Sequence, residues 1–384
     1  MARGMTGAVG LPPEAFAAAL AALPPATIHR LGALLRHHSP EEAWQVVLGR
    51  APAAGTARLV LDDPRVGAWF RTAARSVRPA DMWAECRRLG LQVLVIGHDG
   101  YPDLLADDPQ PPPVLFCRGS LDLLEGRRVA VVGTRNATAA GRQSARSIAE
   151  GLASAGVHVV SGLARGIDGV AHRAVLAARA AGGAGRPIAV VGSGLDVVYP
   201  REHGDLWEQV AAEGVLLSEA PPGSPPEPYR FPLRNRIVAA LSEVVVVVES
   251  RERGGSLITV DAAVERGVPV MAVPGSAANR AASGSNSLLR DGAAPVLDAG
   301  DVLTQLQLDH SLMSVPGRAE RRRRPRREDE AVYRVLRDEP RTIDGVALLT
   351  GMLLVEAAMS LARLEADGWV AQADGWFEAV GSPL

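Results

Sequence analysis

The sequence predicts an α/β fold in which a mostly parallel sheet is flanked by smaller domains at both ends. Apolar, β-branched runs recur between Arg127 and Leu297, and each ends in glycine, serine or arginine before a helix-like segment; four of them are RRVAVVGTR, RPIAVVGSGLD, EVVVVVESRERGGS and PVMAVPGS. A run without polar alternation is typical of a strand buried on both faces, and helical crossovers between such strands imply parallel pairing. This central block is therefore predicted to be a Rossmann-like domain.

The segments on either side of the block predict the domain organisation. LQVLVIG and VLFCRGS are predicted strands that lead into the block, and helical spacing near both ends of the chain indicates two smaller domains. We predict five segments: disordered residues 1–10, a small helical domain of the SAM or helix-hairpin-helix kind at 11–80, the Rossmann-like domain at 81–306 with its core at 127–306, an arginine-rich linker at 307–327, and a winged-helix domain at 328–384.

Ala- and Leu-rich segments with helical spacing predict the amino-terminal domain. In SPEEAWQVVLGR, Ser39 is a good helix cap and Pro40 suits the first helical position. Glu41 and Glu42 then suit the positive end of the helix dipole. The domain either contacts DNA as a helix-hairpin-helix, although the glycine-centred hairpin of that motif is not evident, or serves packing or dimerisation, which we favour.

The carboxyl-terminal segment has the order of a winged helix. Three helices are predicted, from Asp329 to Arg337, from Thr342 to Leu349 and from Leu353 to Asp367, and a hairpin follows that turns at Asp374-Gly375. The third helix would be the one that enters a DNA groove, but it is acidic and therefore a poor partner for duplex phosphates. We expect this domain to contact protein or to have a structural role.

The predicted linker ends in an arginine run, RRRRPRR, from Arg321 to Arg327. Such a run can bind nucleic acid by neutralising phosphates. A solvated tether is the alternative, and it is the interpretation we favour.

Composition excludes several classes of function. All 41 basic residues are arginine, so a phosphate-loop NTPase, which needs Gly-Lys-Ser/Thr, and Schiff-base lysine chemistry are excluded. The formal net charge of −2 means that any affinity for anions must be local. Cys86 and Cys117 lack the spacing of a metal site or a disulfide framework, which fits a reducing compartment. Without a long apolar stretch, we expect a cytoplasmic protein that has no membrane partner and no metal.

The loops that follow the predicted strands should meet at one edge of the sheet, where open α/β folds bind ligands. The first loop is Gly133-Thr134-Arg135-Asn136 rather than Gly-x-Gly-x-x-Gly. The second strand ends at Ser161, where a dinucleotide-binding fold usually places a carboxylate. A nicotinamide cofactor is thus disfavoured, and we predict no cofactor.

Glycine and arginine in these loops predict an anion cradle. Gly133 allows the backbone to approach a ligand closely, and Arg135 offers a two-pronged donor. In the loop SGLARGID, Gly162 and Gly166 expose amides at the start of a helix. Arg165 in the same loop could add a second positive charge.

Two further loops extend the predicted cradle. FPLRNRIVAAL places Arg234, Asn235 and Arg236 at the start of a helix, and we expect one of the two arginines to face outward while the other meets the sheet edge. Gly254-Gly255-Ser256 opens another helix with amides and a hydroxyl suited to an anion. Four such loops on one edge exceed the needs of a mononucleotide, so we infer that the ligand is a phosphodiester strand.

Four other residues near these loops have alternative roles. Asp168 either caps the following helix or orients Arg135 through a salt bridge, and we do not favour a catalytic acid. His172 is expected to be a structural histidine rather than a general base. Tyr199 and Phe231 either stack on bases or wedge the turns in which they lie.

Seven motifs follow one another in order between Gly90 and Leu306: RRVAVVGTRNATAAG, VVSGLARGIDGVAH, IAVVGSGLDVVYP, LLSEAPPG, FPLRNRIVAALS, GGSLITVDAAVERGVPVMAVPG and GSNSLLRDGA. Together they resemble the DNA-processing protein A family (DprA, also called Smf). The resemblance implies a Rossmann-like domain that binds single-stranded DNA, protects it and loads the RecA recombinase onto it during natural transformation. It also implies a homodimer.

The resemblance assigns DNA contacts to particular residues of this chain. They are Arg135, the Ser161-Gly162 and Arg165-Gly166 turns, and Arg234, Asn235 and Arg236. The family commonly has Ser-Gly-Ser-Leu where this chain has Gly254-Gly255-Ser256-Leu257, so one hydroxyl is missing at that turn.

Three classes of function compete. The leading hypothesis is a non-catalytic protein that binds single-stranded DNA. Its rival is a Rossmann-like enzyme that binds or hydrolyses nucleotides; such enzymes usually have a Pro-Gly-Gly phosphate loop with a nearby glutamate, whereas this chain has Pro274-Gly275-Ser276. A scaffold that binds only proteins would leave Arg135 and the glycine loops without a purpose. We predict no catalytic residue.

Overall fold

A computed structural model describes residues 10–24, 26–307, 325–373 and 375–380. The chain divides into two compact units, Met1–Ser314 and Val315–Leu384, and each is considered by itself. Three predicted features lie outside the described residues: the disorder of residues 1–9, most of the linker including arginines 321–324, and the turn residue Asp374.

A nine-stranded sheet forms the centre of the described part of the first unit. Its strands are β1 Gln92–Val95, β2 Val114–Gly119, β3 Arg128–Val132, β4 His158–Ser161, β5 Pro187–Val190, β6 Val215–Ser218, β7 Val244–Val247, β8 Val270–Ala272 and β9 Ala294–Pro295. Their spatial order is β1-β2-β6-β5-β4-β3-β7-β8-β9. Strand β2 pairs antiparallel with β1 and β6, and the remaining pairs are parallel. The predicted α/β class with a mostly parallel sheet is confirmed.

Helices cover both faces of this sheet. The helices of the first unit are α1 Pro13–Ala21, α2 Ile28–Leu35, α3 Pro40–Val47, α4 Gly55–Leu61, α5 Pro64–Ala74, α6 Pro79–Arg88, α7 Asp103–Ala106, α8 Ala139–Ser154, α9 Ile167–Ala180, α10 Gly204–Glu213, α11 Arg230–Ala240, α12 Leu257–Glu265, α13 Ser283–Arg290 and α14 Ala299–Gln305. Helices α8, α9 and α14 pack on one face, and α11 and α12 pack on the other.

The four valines of β7 explain why the central strands show no polar alternation. Val244 and Val246 belong to the core under α8 and α9, whereas Val245 and Val247 belong to the core under α11 and α12. All four are buried. Since burying a valine stabilises a fold by about 1.5–3 kcal/mol, both faces of the strand favour apolar side chains.

The amino-terminal helices share a core with the sheet region. Leu20, Leu34 and Phe70 belong to the same buried cluster as Trp207 of α10 and Leu216 of β6. They consequently fall within the first compact unit, and the division at residue 80 stays a prediction.

The predicted cap of α3 is confirmed. The Ser39 amide donates to Glu42 Oε2 at 3.0 Å, and the Glu42 amide donates to Ser39 Oγ at 3.3 Å. Pro40 occupies the first turn, as expected. This reciprocal pair of hydrogen bonds satisfies two amide donors that a helix start leaves without partners.

The second unit contains the helices α15 Glu330–Asp338, α16 Ile343–Thr350 and α17 Leu354–Ala366, and the strands β10 Arg341–Thr342, β11 Val370–Ala373 and β12 Trp376–Ala379. The strands form a small sheet in the order β10-β12-β11. In α17, Arg363 is paired with buried Asp329. In the described part of the chain, no single helix is long and apolar enough to cross a membrane. Helices α16 and α17 together have the length and composition of a membrane span, but they are bent by 111° relative to each other.

A buried ion pair ties the irregular connection between β1 and β2 to α12. The Arg266 Nε and Nη2 atoms donate to the two Asp108 carboxylate oxygens at 2.6 and 2.9 Å, and the two side chains are 6% and 3% exposed. We predict that Asp108→Ala lowers the free energy of unfolding by about 3–5 kcal/mol, because it leaves a buried guanidinium without its partner. Denaturant unfolding measures the change.

The control for Asp108→Ala is Asp62→Ala, which removes an exposed ion pair with Arg58. Its stability should stay close to that of the parent. Equal losses in the two variants would contradict the role given to the buried pair.

Candidate functional site

A cleft lies at the carboxyl edge of the sheet, where the strand order reverses. Strand β3 leads through α8 to β4 on one side, whereas β7, on the other side of β3, leads to β8. Open α/β sheets bind ligands at such a switch point. The central cleft has a volume of about 600 Å³, and its lining includes residues 132–135, Asp168, Tyr199, residues 226–238 in part, and residues 251–259 in part.

The first wall of the central cleft is the loop after β3, and buried Glu249 fixes it. The Glu249 carboxylate accepts hydrogen bonds from the Thr138 amide and hydroxyl, both at 2.8 Å. The Thr134 amide donates to the Glu249 carbonyl oxygen at 2.7 Å. A methyl group at Gly133 would lie 2.8 Å from that same oxygen, so only glycine fits. The loop holds the exposed side chain of Arg135 at the mouth of the cleft.

The loop after β4 is pressed against the Arg135 loop at Gly166. Gly166 has a φ of +75°, and a methyl group there would lie 2.2 Å from the Thr134 carbonyl oxygen and 2.6 Å from that of Arg135. The Ile167 amide donates to the Thr134 carbonyl at 3.2 Å. The loops after β3 and β4 are therefore in direct contact, as the sequence predicts.

Arg234, in the first turns of α11, is the central charge of the cleft. It is 7% exposed, lines the cleft, and makes no hydrogen bond or ion pair with any residue that the structure describes. A methyl group added at Gly162 would lie only 1.5 Å from the Arg234 Nη1 atom. Burial lowers the pKa of Arg234, and the charge of Asp168 opposes this effect. Glycine at position 162 thus makes room for the guanidinium.

Asp168 belongs to the fold of the loop rather than to a helix cap. Its Oδ2 atom accepts from the Gly162 amide at 3.1 Å and the Ala164 amide at 3.4 Å. Burial raises the pKa of the Asp168 carboxyl, and Arg234 and these amides oppose the increase. The alternative of a salt bridge with Arg135 is not observed. His172 is fully buried on α9, and burial lowers its pKa to about 3, so the ring is neutral near pH 7.

Two predicted cradle residues have other partners. Buried Ser161 donates its hydroxyl to the Val131 carbonyl at 2.7 Å, so the side chain supports the sheet. Arg165 forms an exposed ion pair with Glu202, with Nη2 and Oε2 at 2.9 Å. Neither residue lines the central cleft.

Arg236 is also placed differently from the expectation of a ligand contact. It is 5% exposed, does not line the central cleft, and is paired with Glu219 at the end of β6. Burial raises the pKa of Glu219 to about 7, against the opposing effect of Arg236. The expectation that one of the two arginines faces outward is wrong, since both are buried. Arg234 lines the cleft and Arg236 does not, because a helix carries residues two apart on different sides.

Aromatic side chains flank the mouth of the cleft. The ring centroids of Tyr199 and Phe231 are 5.4 Å apart, with an interplanar angle of 39°. The Arg135 guanidinium carbon lies 4.9 Å from the Phe231 centroid. Such a contact with the ring face is favourable for a cation, so Phe231 helps to position Arg135.

The turn after β7 closes the cleft. Asn235 donates its side-chain amide to the Gly255 carbonyl at 3.2 Å, and Ser256 donates its hydroxyl to Ser250 Oγ at 2.9 Å. Asn235 and Ser256 line the cleft, as does Gly255. The predicted residues 254–256 are thus brought to the site.

Sequence reasoning missed Arg251 and Arg253. Both are exposed, both line the cleft, and the structure shows no ion pair between them and any residue it describes. They stand in the segment ESRERGGS, between a buried strand and a glycine turn. Arginine in a loop at the carboxyl end of a parallel strand was the signal that could have identified them.

The described residues contain no group of three or more His, Cys, Asp or Glu side chains that could hold a metal ion. Apart from Asp168, the residues that line the cleft carry no carboxylate. An arginine-rich cleft with a single carboxylate is suited to a ligand that carries negative charge.

A family model, curated relatives and two solved structures indicate the same family. Residues 92–307 match the family model of DNA recombination-mediator protein A. The DNA processing protein DprA of Bacillus subtilis (strain 168) is 41% identical over 224 residues, which cover 58% of this chain and 74% of that protein. The solved structure of DNA processing protein A from Streptococcus pneumoniae is similar, with a TM-score of 0.64 and 32% identity, over 77% of this chain and 99% of the other.

A second solved structure is described by its ligand. It is DNA processing protein A from Helicobacter pylori, reported for its single-stranded DNA binding mode. The TM-score is 0.51 and the identity is 28%, over 56% of this chain and 95% of the other. The resemblance noted in the sequence is thereby confirmed.

The contact at Gly166 generates a prediction about stability. Gly166→Ala should lower the free energy of unfolding by clearly more than Gly182→Ala, because both positions have positive φ but only Gly166 also meets carbonyl oxygens. The control is Gly182→Ala, whose added methyl group has no other atom within 4 Å. Its free energy of unfolding should fall only by the conformational cost of about 1–2 kcal/mol. Denaturant unfolding of both variants provides the comparison, and equal losses would show that the two loops are not locked together.

Proposed function

Because the chain belongs to the DNA recombination-mediator protein A family, we propose that its central cleft binds single-stranded DNA. Its named relatives are DNA processing proteins. The observation that carries the proposal is Arg234. The Arg234 guanidinium is largely buried and is attracted by the charge of Asp168, but it forms no hydrogen bond or ion pair with a described residue, and it lines a cleft that can admit an anion. A phosphate group bound there would supply hydrogen-bond acceptors and further negative charge.

Three exposed arginines extend this charge across the cleft. Arg135 stands on one wall, and Arg251 and Arg253 stand on the other. Charges on both walls fit successive phosphates of one strand better than a single phosphate group. Because such contacts involve the backbone, binding should depend on salt and only weakly on sequence.

The aromatic pair of Tyr199 and Phe231 supports a preference of the cleft for single-stranded over duplex DNA. Tyr199 is 38% exposed and packs against Phe231 beside Arg135. Aromatic rings can stack on unpaired bases, whose faces are hidden in a duplex. The arrangement therefore supports binding of a single strand.

The remaining parts of the proposal depend on the family. From the resemblance to the family, we infer that the protein binds incoming DNA without cutting it, protects it, and loads the RecA recombinase onto it. It would act as a homodimer in the cytoplasm. The roles of Ser161, Arg165 and Arg236 in DNA contact remain proposals, and their observed partners support a structural role for each side chain.

A nucleotide-hydrolysing enzyme is the second candidate. It would need a carboxylate or another base free to activate water. Two buried carboxylates that contact the cleft loops are held by the protein: Asp168 by two amides and Glu249 by Thr138. This favours binding without hydrolysis, and an assay for released nucleoside or phosphate tests it.

We predict that Arg135→Ala weakens binding of single-stranded DNA roughly tenfold, by a similar factor for every sequence. The slope of log affinity against log salt should become shallower by about 0.7, because one phosphate contact is lost. Fluorescence anisotropy with single-stranded and duplex oligonucleotides at several salt concentrations measures both effects.

The matched control for Arg135→Ala is Arg87→Ala, which removes an exposed arginine on α6 outside the cleft. It should bind like the parent. If folded Arg135→Ala bound like this control, the assignment of the cleft would be contradicted.

A further inference from the structure

A second, shallower pocket lies on the other side of Arg135. We call it the arginine pocket: a depression of about 460 Å³ lined by Arg135, Arg142, Arg173, Gly166 and His203, among others. Arg142 comes from the first turns of α8, and Arg173 comes from the second turn of α9. Arg135 lines both the arginine pocket and the central cleft, so the loop that carries it lies between the two.

The arginine pocket has no acidic residue among those that line it. Arg142 and Arg173 are exposed, and the structure shows no ion pair between either one and any residue it describes. Other exposed arginines nearby are neutralised. Arg165 pairs with Glu202, and Arg179 pairs with Glu213. Arg142 and Arg173 thus differ from Arg165 and Arg179, which have acidic partners.

The position of the pocket relative to the cleft suggests what would occupy it. Arg142 donates to the Ala137 carbonyl, a bond that holds its guanidinium over the loop that carries Arg135. Gly166, whose missing side chain lets the two loops touch, forms part of the floor. A flexible polyanion that leaves the central cleft past Arg135 would meet Arg142 and Arg173 next.

We propose that the arginine pocket is a second phosphate-binding site, which holds the backbone of the same single strand after it leaves the central cleft. This inference rests on the proposed function of the cleft. It makes the binding track two pockets long, with Arg135 as the residue shared between them. The contacts are to phosphate, so the second site adds affinity and salt dependence without adding sequence preference.

The test is the double variant Arg142→Gln/Arg173→Gln, measured with oligothymidylates from about 4 to about 16 nucleotides. The shortest strands that fill the central cleft should bind variant and parent alike. Longer strands should bind the variant roughly tenfold more weakly, with a salt slope shallower by about 1.4, because two phosphate contacts are lost. The matched control is Arg146→Gln, an exposed arginine one turn further along α8 that does not line the pocket, and it should follow the parent at every length.

The outcomes separate the two proposals. If the parent does not bind single strands of any length, the proposed function fails. If the parent binds and the folded double variant follows it at all lengths, the second site is overturned while the cleft stands. If the double variant weakens the shortest strands as much as the longest, Arg142 and Arg173 belong to one common site, and the two-pocket track is also overturned.

Discussion

The structure depends most on how it holds a largely buried guanidinium that forms no hydrogen bond with a described residue. Arg234 lies under the Gly162 turn with Asp168 nearby, yet no described residue forms an ion pair with it. Desolvating a charge costs several kcal/mol unless a partner compensates for it. The surrounding loops must therefore hold Arg234 in place beside Asp168, and an anion bound in the cleft, as we propose, would lower this cost further.

The glycines and the buried carboxylates of the site follow from that requirement. Gly162 leaves room for the guanidinium, Gly166 lets the two loops lie in contact, and Glu249 fixes the start of α8 beneath Arg135. None of these residues needs to touch a ligand to matter. They hold the arginines of the cleft in place, so that little ordering would remain for a strand bound there as proposed.

Much of the fold and part of the site could be predicted from sequence. Valine-rich runs that end in glycine identified β3, β4, β5, β7 and β8, and their shared edge followed from parallel pairing. Strand β6 was not recognised as a strand, and the antiparallel placement of β2 was not anticipated, because pairing partners depend on long-range packing. Side-chain partners were also beyond sequence: Ser161 meets Val131, Arg165 meets Glu202, and Arg236 meets Glu219 only after folding. For the same reason the loop pattern could not distinguish Arg234, which lines the cleft, from Arg236, which does not.

The most direct test of the central claim is to measure stability and binding together in Arg234→Met, which keeps an unbranched apolar stem and removes the charged guanidinium. If the charge is kept for a ligand, the free protein should be as stable as the parent or more so, since replacing a buried charge with an apolar group is often neutral or stabilising by about 1–4 kcal/mol. Its affinity for single-stranded DNA should fall at least roughly tenfold, or about 1.4 kcal/mol. A variant that loses stability but binds DNA like the parent would contradict the account, because Arg234 would then serve the fold and not the strand.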